Sequence, residues 1–217
     1  MFIIALMALK GGVSKTTLAA NVACMAWGDA ALREYDRRVC LIDLDFAQGS
    51  LTAVHRLRGC AGPDLLAIEE FADLPHLIAS AERAGYPVCV IDTAGQDTPA
   101  LSMVADVADL CIVPVGPSEL DFLGVLPTLQ MLRRKDATFR VVLARTWHSE
   151  SAATKILRER LQPEGLLFAT RIAERVAYKE AIRYGQAVTE FDPACRAGEE
   201  MTAFYCEVKE ALGGFAA

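Results

Sequence analysis

Apolar residues along this chain gather into runs of strand length, separated by segments long enough for helices. FIIALMA (2–8), RVCLIDL (38–44), PVCVID (87–92), LCIVPV (110–115) and FRVVLA (139–144) are continuous rather than alternating. A strand with one face in water would alternate apolar and polar residues, so strands apolar throughout belong to a sheet covered on both sides. Helix-start chemistry lies between the runs. Thr98-Pro99 puts a capping hydroxyl before a proline at the first helical position. Ser118 followed by Asp121 resembles a capping box, and Asp192-Pro193 repeats the first arrangement before a last helix. Strands alternating with helices predict βαβ units. The expected fold class is α/β, a doubly wound, mainly parallel sheet with helices on both faces. Without repeats, low-complexity segments or an obvious linker, residues 1–217 read as a single domain.

Composition narrows the class. Hydrophobic residues make up 53% and charged residues 23%, and no apolar run approaches the ~18 residues needed to span a bilayer. The start, MFIIALMALKGG, lacks a basic leader and a small-residue cleavage site, so it does not read as a secretory signal. Seven cysteines (24, 40, 60, 89, 111, 195 and 206) form no CxxC pair, and Cys40, Cys89 and Cys111 fall inside strand-like runs. They read as buried free thiols, and the expected compartment is a reducing cytoplasm. His55, His76 and His148 match no catalytic spacing and read as surface or capping residues.

The net charge of −6 argues against a general nucleic-acid binder, but it is unevenly spread. Residues 1–132 carry 8 basic and 16 acidic groups, residues 133–196 carry 13 and 8, and the remainder carries 1 and 4. A locally basic segment can steer a polyanion or be an ordinary solvated surface, and charge alone leaves both open.

The stretch MALKGGVSKTT (7–17) leaves the first predicted strand and enters a helix. In such folds ligands bind beyond the carboxyl ends of strands, often at a helix N-terminus. The common phosphate-loop pattern G-x-x-x-x-G-K-[ST] needs glycine at positions 9 and 14, where this chain has Leu9 and Ser14. The remaining chemistry fits. Gly11 and Gly12 let backbone amides turn toward an anion. Lys15 supplies a charge for β- and γ-phosphates, the Thr16 hydroxyl suits magnesium, and Thr17 extends the amide-rich first turn.

KGGVSKTT resembles the deviant Walker A loop, K-G-G-x-G-K-[ST]-[ST], of the ParA/MinD family of dimeric ATPases, whose ParA members commonly lack glycine at the position of Leu9. The resemblance implies a P-loop NTPase fold in which Lys10, Gly11, Gly12, Val13, Ser14, Lys15, Thr16 and Thr17 bind ATP. In relatives the lysine matching Lys10 reaches across a two-fold dimer to the partner's phosphates. The family usually has glycine at the position of Ser14. If that position needs φ > 0, a side chain there costs on the order of 1 kcal/mol.

VCLIDLDFAQGS resembles the family's switch segment LLIDLDPQGN, with Phe46-Ala47 where a single proline is usual. By that match Asp45 orients the attacking water and Asp43 contacts magnesium through its water shell. Phosphoryl transfer to water is mainly positioning and charge stabilisation, which suits a carboxylate there. PVCVIDTAGQD resembles the Walker B strand and its turn. Asp92 then holds magnesium through its hydration shell, and Gly95 is the mobile switch glycine.

LCIVPVGPSELDFLGVLPTLQMLRR and TRIAERVAYKEAIRYGQAVTEFDPACRAGEEMTAFYCEV resemble later segments of small ParA proteins, the second beginning with a helix over I-x-E-R-x-A-Y-x-E-A. The resemblance implies a partition or positioning ATPase that uses ATP and Mg2+, forms a homodimer with ATP, and hydrolyses slowly until a ParB-type DNA-binding protein or adaptor stimulates it. Its cargo would be a plasmid, chromosome or protein assembly. The protein would be cytoplasmic and nucleoid-associated when ATP-bound. Candidate contacts to non-specific DNA are Arg145, Arg171, Arg175, Lys179, Arg183 and Arg196, although Arg171 and Arg175 could equally pair with Glu174 or Glu180. Arg145-Thr146 also falls where the family usually places a base-contacting pair.

Nitrogenase iron protein shares the loop, but no cysteine here follows its glycine-rich context, so no iron–sulfur cluster is expected. Membrane binding is not expected either. Met201, Phe204, Tyr205, Val208 and Leu212 recur at helical spacing beside an acidic polar face, and they read as core. Two rival functions remain: a small-molecule ATP-dependent ligase or kinase resembling dethiobiotin synthetase, and a non-hydrolysing nucleotide-dependent scaffold.

Overall fold

A computed structural model describes residues 1–35, 38–59, 62–95, 99–147, 152–162 and 166–214. The strands are β1 (Phe2–Leu6), β2 (Val39–Asp43), β3 (Asp64–Leu65), β4 (Val88–Asp92), β5 (Leu110–Val115), β6 (Phe139–Thr146) and β7 (Ile172–Ala173). They form one seven-stranded sheet in the order β3-β2-β4-β1-β5-β6-β7. Every pairing is parallel, with Ile4 opposite Val90 on β4 and Leu110 on β5.

The continuous apolar runs have the expected cause. Ile4 and Leu6 of β1 join one core with Leu41, Val88, Val90 and Ile112, while Ile3, Ala5 and Met7 join a second with Cys40, Ile42 and Cys89. Successive strand side chains point to opposite faces, so each strand feeds both cores. The first core is closed by α1 (Lys15–Gly28), α2 (Ser50–Leu57), α7 (Val176–Arg183), α8 (Val188–Phe191) and α9 (Arg196–Ala211). The second is closed by α3 (Leu74–Arg83), α4 (Pro99–Val107), α5 (Glu119–Arg134) and α6 (Ala152–Leu161). Helix α1 lies deepest. Leu18 to Ala23 are all buried, and Asn21, fully enclosed, donates to Thr17 O at 2.8 Å and accepts from Val188 N at 2.8 Å. A helix apolar nearly all round is one enclosed by its neighbours.

The five strand runs appear where the sequence puts them: β1, β2 and β4 are trimmed at their ends, β5 matches its run, and β6 runs on to Thr146. β3 and β7 were not foreseen, because two residues are too short to show a periodicity. The second is a correction: Ile172-Ala173, placed by resemblance in a helix, is strand, and α7 starts only at Val176. Asp192-Pro193 is also corrected. Asp192 ends α8, and α9 starts at Arg196, capped by the Cys195 sulfur, which accepts from Gly198 N at 3.4 Å. The Ser118–Asp121 box forms in both directions, with Asp121 N donating to Ser118 Oγ at 3.1 Å and Ser118 N to Asp121 Oδ2 at 3.2 Å. Thr98, Cys60 and His148 lie outside the described residues.

Met201, Phe204, Tyr205 and Val208 of α9 are buried, and Leu212, just past its end, is half-buried against the same core. Cys24, Cys40, Cys89 and Cys111 are buried thiols, while Cys206 is exposed. Among the described residues, no helix is long and apolar enough to cross a membrane.

Candidate functional site

Parallel strands deliver their carboxyl ends to one edge of the sheet, and in this order β1 emerges between β4 and β5. The loop after β1 therefore runs beside the acids that end β4 and β2. It enters α1 through Ser14, whose φ of 73° is left-handed and whose side chain makes no capping bond. The position that families of this loop fill with glycine thus has the backbone that favours glycine. Leu18 N is the first amide to bond back into the turn, to Ser14 O at 3.0 Å. Helix geometry leaves the amides of residues 15–17 without intrahelical partners, a ready seat for an anion.

Lys15 is only 8% exposed, and its ammonium donates to Lys10 O at 3.3 Å. Burial lowers its pKa, opposed by the charges of Asp92 and Asp45. The Thr16 hydroxyl donates to Asp92 Oδ2 at 2.6 Å. Asp92 is wholly enclosed and its pKa is pushed up to about 7, first by burial, with Asp43 and Asp45 adding to the rise while the Thr16 hydrogen bond and Lys15 oppose it. Its other oxygen, Oδ1, is buried with no partner. An orphaned carboxylate oxygen is costly, and a hydrated hard cation is the kind of ligand that satisfies it. Among the described residues no cluster of three acids, histidines or cysteines could hold a metal by itself. Magnesium is typically held by one or two protein groups plus waters and phosphates, and the Thr16 hydroxyl beside Asp92 is such a pair.

Asp43, at the end of β2, is tied down by three donors. Asp45 N reaches Oδ1 at 3.1 Å, while Thr52 N and Oγ1 each reach Oδ2 at 2.9 Å. Asp45 is half-buried in the following turn, and its Oδ1 accepts from Gln48 N at 3.2 Å. Gly95 abuts the phosphate loop. A Cβ there would lie 3.1 Å from Gly11 Cα and 3.3 Å from Lys15 Nζ, so a side chain would press on both. Lys15, Thr16, Asp45 and Gly95 border a cavity of about 780 Å³, which Phe46 and Phe71 also line.

Lys10 does not border that cavity. Its ammonium pairs with Asp121 Oδ1 of α5, and its stem lies over Gly124, where a Cβ would come within 3.1 Å of Cδ. Leu9 N donates to the buried Thr128 Oγ1 at 3.1 Å. One face of α5 thus cradles the start of the loop. Lys10 borders a separate 340 Å³ cavity with Gly116, Asp121 and the exposed Trp147.

Three of the six candidate DNA cations, Arg145, Arg175 and Lys179, line one recess beside the loop. Arg145 takes a left-handed φ of 55° and folds over the loop, with Nη1 donating to Gly12 O at 2.7 Å and Nε to Glu174 Oε2 at 2.9 Å. Lys179 pairs with the other oxygen of Glu174 at 2.9 Å, and these two bonds hold the Glu174 carboxyl below its ordinary range, Lys179 contributing first. Arg145 and Lys179 are therefore part of the loop's surroundings, bordering a 240 Å³ recess lined by Leu18, Ile172 and Tyr178. Arg175 is closed onto Glu200, its Nε 3.1 Å from both oxygens, rather than onto Glu174 or Glu180. Arg171 is half-buried, and Arg183 is exposed beside Glu180. Arg196 is exposed at the start of α9.

Sequence reasoning offered Glu174 only as a partner for Arg171 or Arg175, whereas it pairs with Arg145 and Lys179, and it missed Phe71. Glu174 stands in the quoted IAER segment and becomes visible once that segment is strand and turn. Phe71 sits in the stretch of weakest resemblance and had no signal.

A phosphate loop entering the central helix of an all-parallel sheet, with its threonine bonded to a strand-end aspartate, defines a P-loop NTPase. No family model matches the chain. It is 34% identical over 185 residues to the maintenance of carboxysome distribution protein A of Gloeobacter kilaueensis, covering 81% of this chain and 80% of that protein. Among solved structures it is similar to apo McdA of Cyanothece, with TM-score 0.76 and 19% identity over 98% of this chain and 100% of the other. The Mg-ADP complex of the septum site-determining protein MinD from Pyrococcus horikoshii gives TM-score 0.75 and 19% identity, covering 99% and 98%. The chain belongs to the ParA/MinD family of ATPases.

Proposed function

We propose that this protein is a positioning ATPase that binds ATP and Mg2+, closes into a homodimer on the nucleotide, and hydrolyses it slowly until an adaptor or ParB-type partner intervenes. The reading of the nucleotide site rests on the orphaned Asp92 oxygen beside Thr16 and Lys15. Lys15 and the amides of residues 15–17 take the phosphates. Thr16, Asp92 and Asp43 hold magnesium, the latter two through its waters. The ion, when bound, neutralises charge on the phosphate oxygens. Asp45 faces the cavity close enough to act on the Lys15 charge, and there it orients water.

One observation favours a dimeric switch over a small-molecule kinase. Lys10 is turned away from its own phosphate cavity and parked on Asp121 at the surface. A lysine serving its own active site would face inward, whereas this one is placed to exchange Asp121 for phosphates of a second copy. The cargo is a large assembly. The Gloeobacter relative's name concerns carboxysome distribution, and a similar structure from Borrelia burgdorferi is a plasmid partition protein. Non-specific DNA is the proposed matrix.

Sedimentation of wild type, Lys10→Ala and Asp45→Ala with ATP, ADP or no nucleotide, with and without duplex DNA, tests this. The expected result is an ATP-only dimer that pellets with DNA, persists in Asp45→Ala and is lost in Lys10→Ala. A monomer under every condition would move the small-molecule enzyme to first place. A dimer that releases no phosphate even with a partner would be the scaffold.

A further inference from the structure

The switch turn departs from its family where Phe46-Ala47 replaces a single proline, and the structure gives those residues a use. Residues 45–48 form a turn in which Asp45 O accepts from Gln48 N at 3.1 Å and from Gly49 N at 2.7 Å. The turn is anchored on both sides. Leu44 N donates to Asp92 O at 2.9 Å before it, and Thr52 holds Asp43 after it. Between these anchors the chain bulges into the cavity wall. A proline would pre-set φ there, but Phe46-Ala47 leaves the backbone free and longer by one residue. The turn's own hydrogen bonds then share its fixing with a tertiary contact.

That contact is aromatic. Phe46, 44% exposed, packs its ring on Phe71 with centroids 4.7 Å apart and planes tilted by 32°. Phe71 opens a 3-10 turn, Phe71–Asp73, directly before α3 and packs against the second core. The contact thus ties the middle of the switch turn to the core through an element outside every family motif. Both rings line the same cavity as Asp45 and Lys15.

We infer that the Phe46–Phe71 contact positions Asp45 for hydrolysis, Phe46 and Phe71 being positioning residues that act through the turn. This rests on the proposed role of Asp45. The contact acts on Asp45 through the turn, so its loss lowers the rate of hydrolysis far more than it changes nucleotide affinity.

The experiment is single-turnover ATP hydrolysis with Mg2+, beside calorimetric ATP and ADP affinities and a melting curve, for Phe46→Ala, Phe71→Ala, Phe46→Tyr and Asp45→Ala. Phe46 is exposed enough to be replaced without endangering the fold, even if Phe71→Ala fails to fold. The expected result is a rate about tenfold lower in Phe46→Ala and in Phe71→Ala, affinities within about twofold of wild type, and a rate restored in Phe46→Tyr. Rate, affinity and melting temperature falling together in Phe46→Ala would overturn the inference in favour of plain packing. An unchanged rate in Phe46→Ala with Asp45→Ala inactive would overturn it while leaving the Asp45 reading intact. Hydrolysis at the wild-type rate in Asp45→Ala would overturn both.

Discussion

The loop after β1 and the basic stretch 133–196 both offer cations to a phosphate, and the structure treats them in opposite ways. At the loop, charge is buried and, at Asp92, only partly paired. Lys15, Asp43 and Asp92 are the ionisable side chains among the buried polar residues described, and one Asp92 oxygen has no partner. In the basic stretch, charge is settled on the protein's own acids: Arg145 and Lys179 on Glu174, Arg175 on Glu200, Arg183 on Glu180, Arg160 on Glu119. Buried groups left unsatisfied carry a cost that a ligand can relieve, whereas cations already paired must give up a partner to take one. The contrast separates a buried, partly unpaired cluster of charge from a surface whose cations are paired, which a count of basic residues cannot do.

The sharpest way to break the comparison is to remove that partly paired charge. Asp92 has a folded-state pKa of about 7 against an ordinary 3.8, so the folded protein holds this proton more tightly than the unfolded chain. Its contribution to stability is therefore full below about pH 4, falls as pH rises to about 7, and is flat beyond. Without nucleotide or Mg2+, Asp92→Asn should be more stable than wild type at pH 8 by on the order of a few kcal/mol, and nearly equal to it near pH 4. Urea titrations at the two pH values measure the difference. Equal stabilities at pH 8 would mean that the buried charge is already compensated.

A smaller effect is expected at Ser14. Its φ of 73° strains a side-chain-bearing residue, and a glycine there relaxes the backbone while adding some freedom to the unfolded chain. Ser14→Gly should gain about 1 kcal/mol by chemical denaturation. A loss would show that the Ser14 side chain makes up for its backbone.

How far the sequence carried the reading follows from the same physics. Local chemistry was legible: strands apolar on both faces, the Ser118–Asp121 box, the loop from Lys10 to Thr17, and the acids ending β2 and β4 all stand where their spacing put them. Glycine's absence at position 14 was visible, but the sign of φ there was not. Pairings between distant segments were silent. Nothing in residues 171–183 says that Arg175 turns to Glu200 or that Glu174 bridges Arg145 and Lys179. Phe71 is an unremarkable residue until the fold lays it under Phe46. Strands of two residues, β3 and β7, carry no pattern at all, and missing β7 extended a helix backward over Ile172-Ala173.

The smallest expected effect asks whether any of the settled surface is used. Arg183 is 74% exposed and only 3.4 Å from Glu180, and an exposed pair three residues apart on a helix is worth little. Arg196 puts a cation in the first turn of α9, where the helix dipole disfavours it. Removing either should change stability by less than about 0.5 kcal/mol. If the ATP-bound protein uses them on DNA phosphates, each loss should reduce the salt dependence of DNA affinity by about one unit of slope, without moving the melting temperature. Arg175→Ala is the counter-case. It breaks a paired, largely buried guanidinium away from Glu200, so its melting temperature should fall whether or not DNA is involved. An unchanged salt slope in the Arg183→Ala, Arg196→Ala double variant would place the polyanion contact elsewhere on the protein.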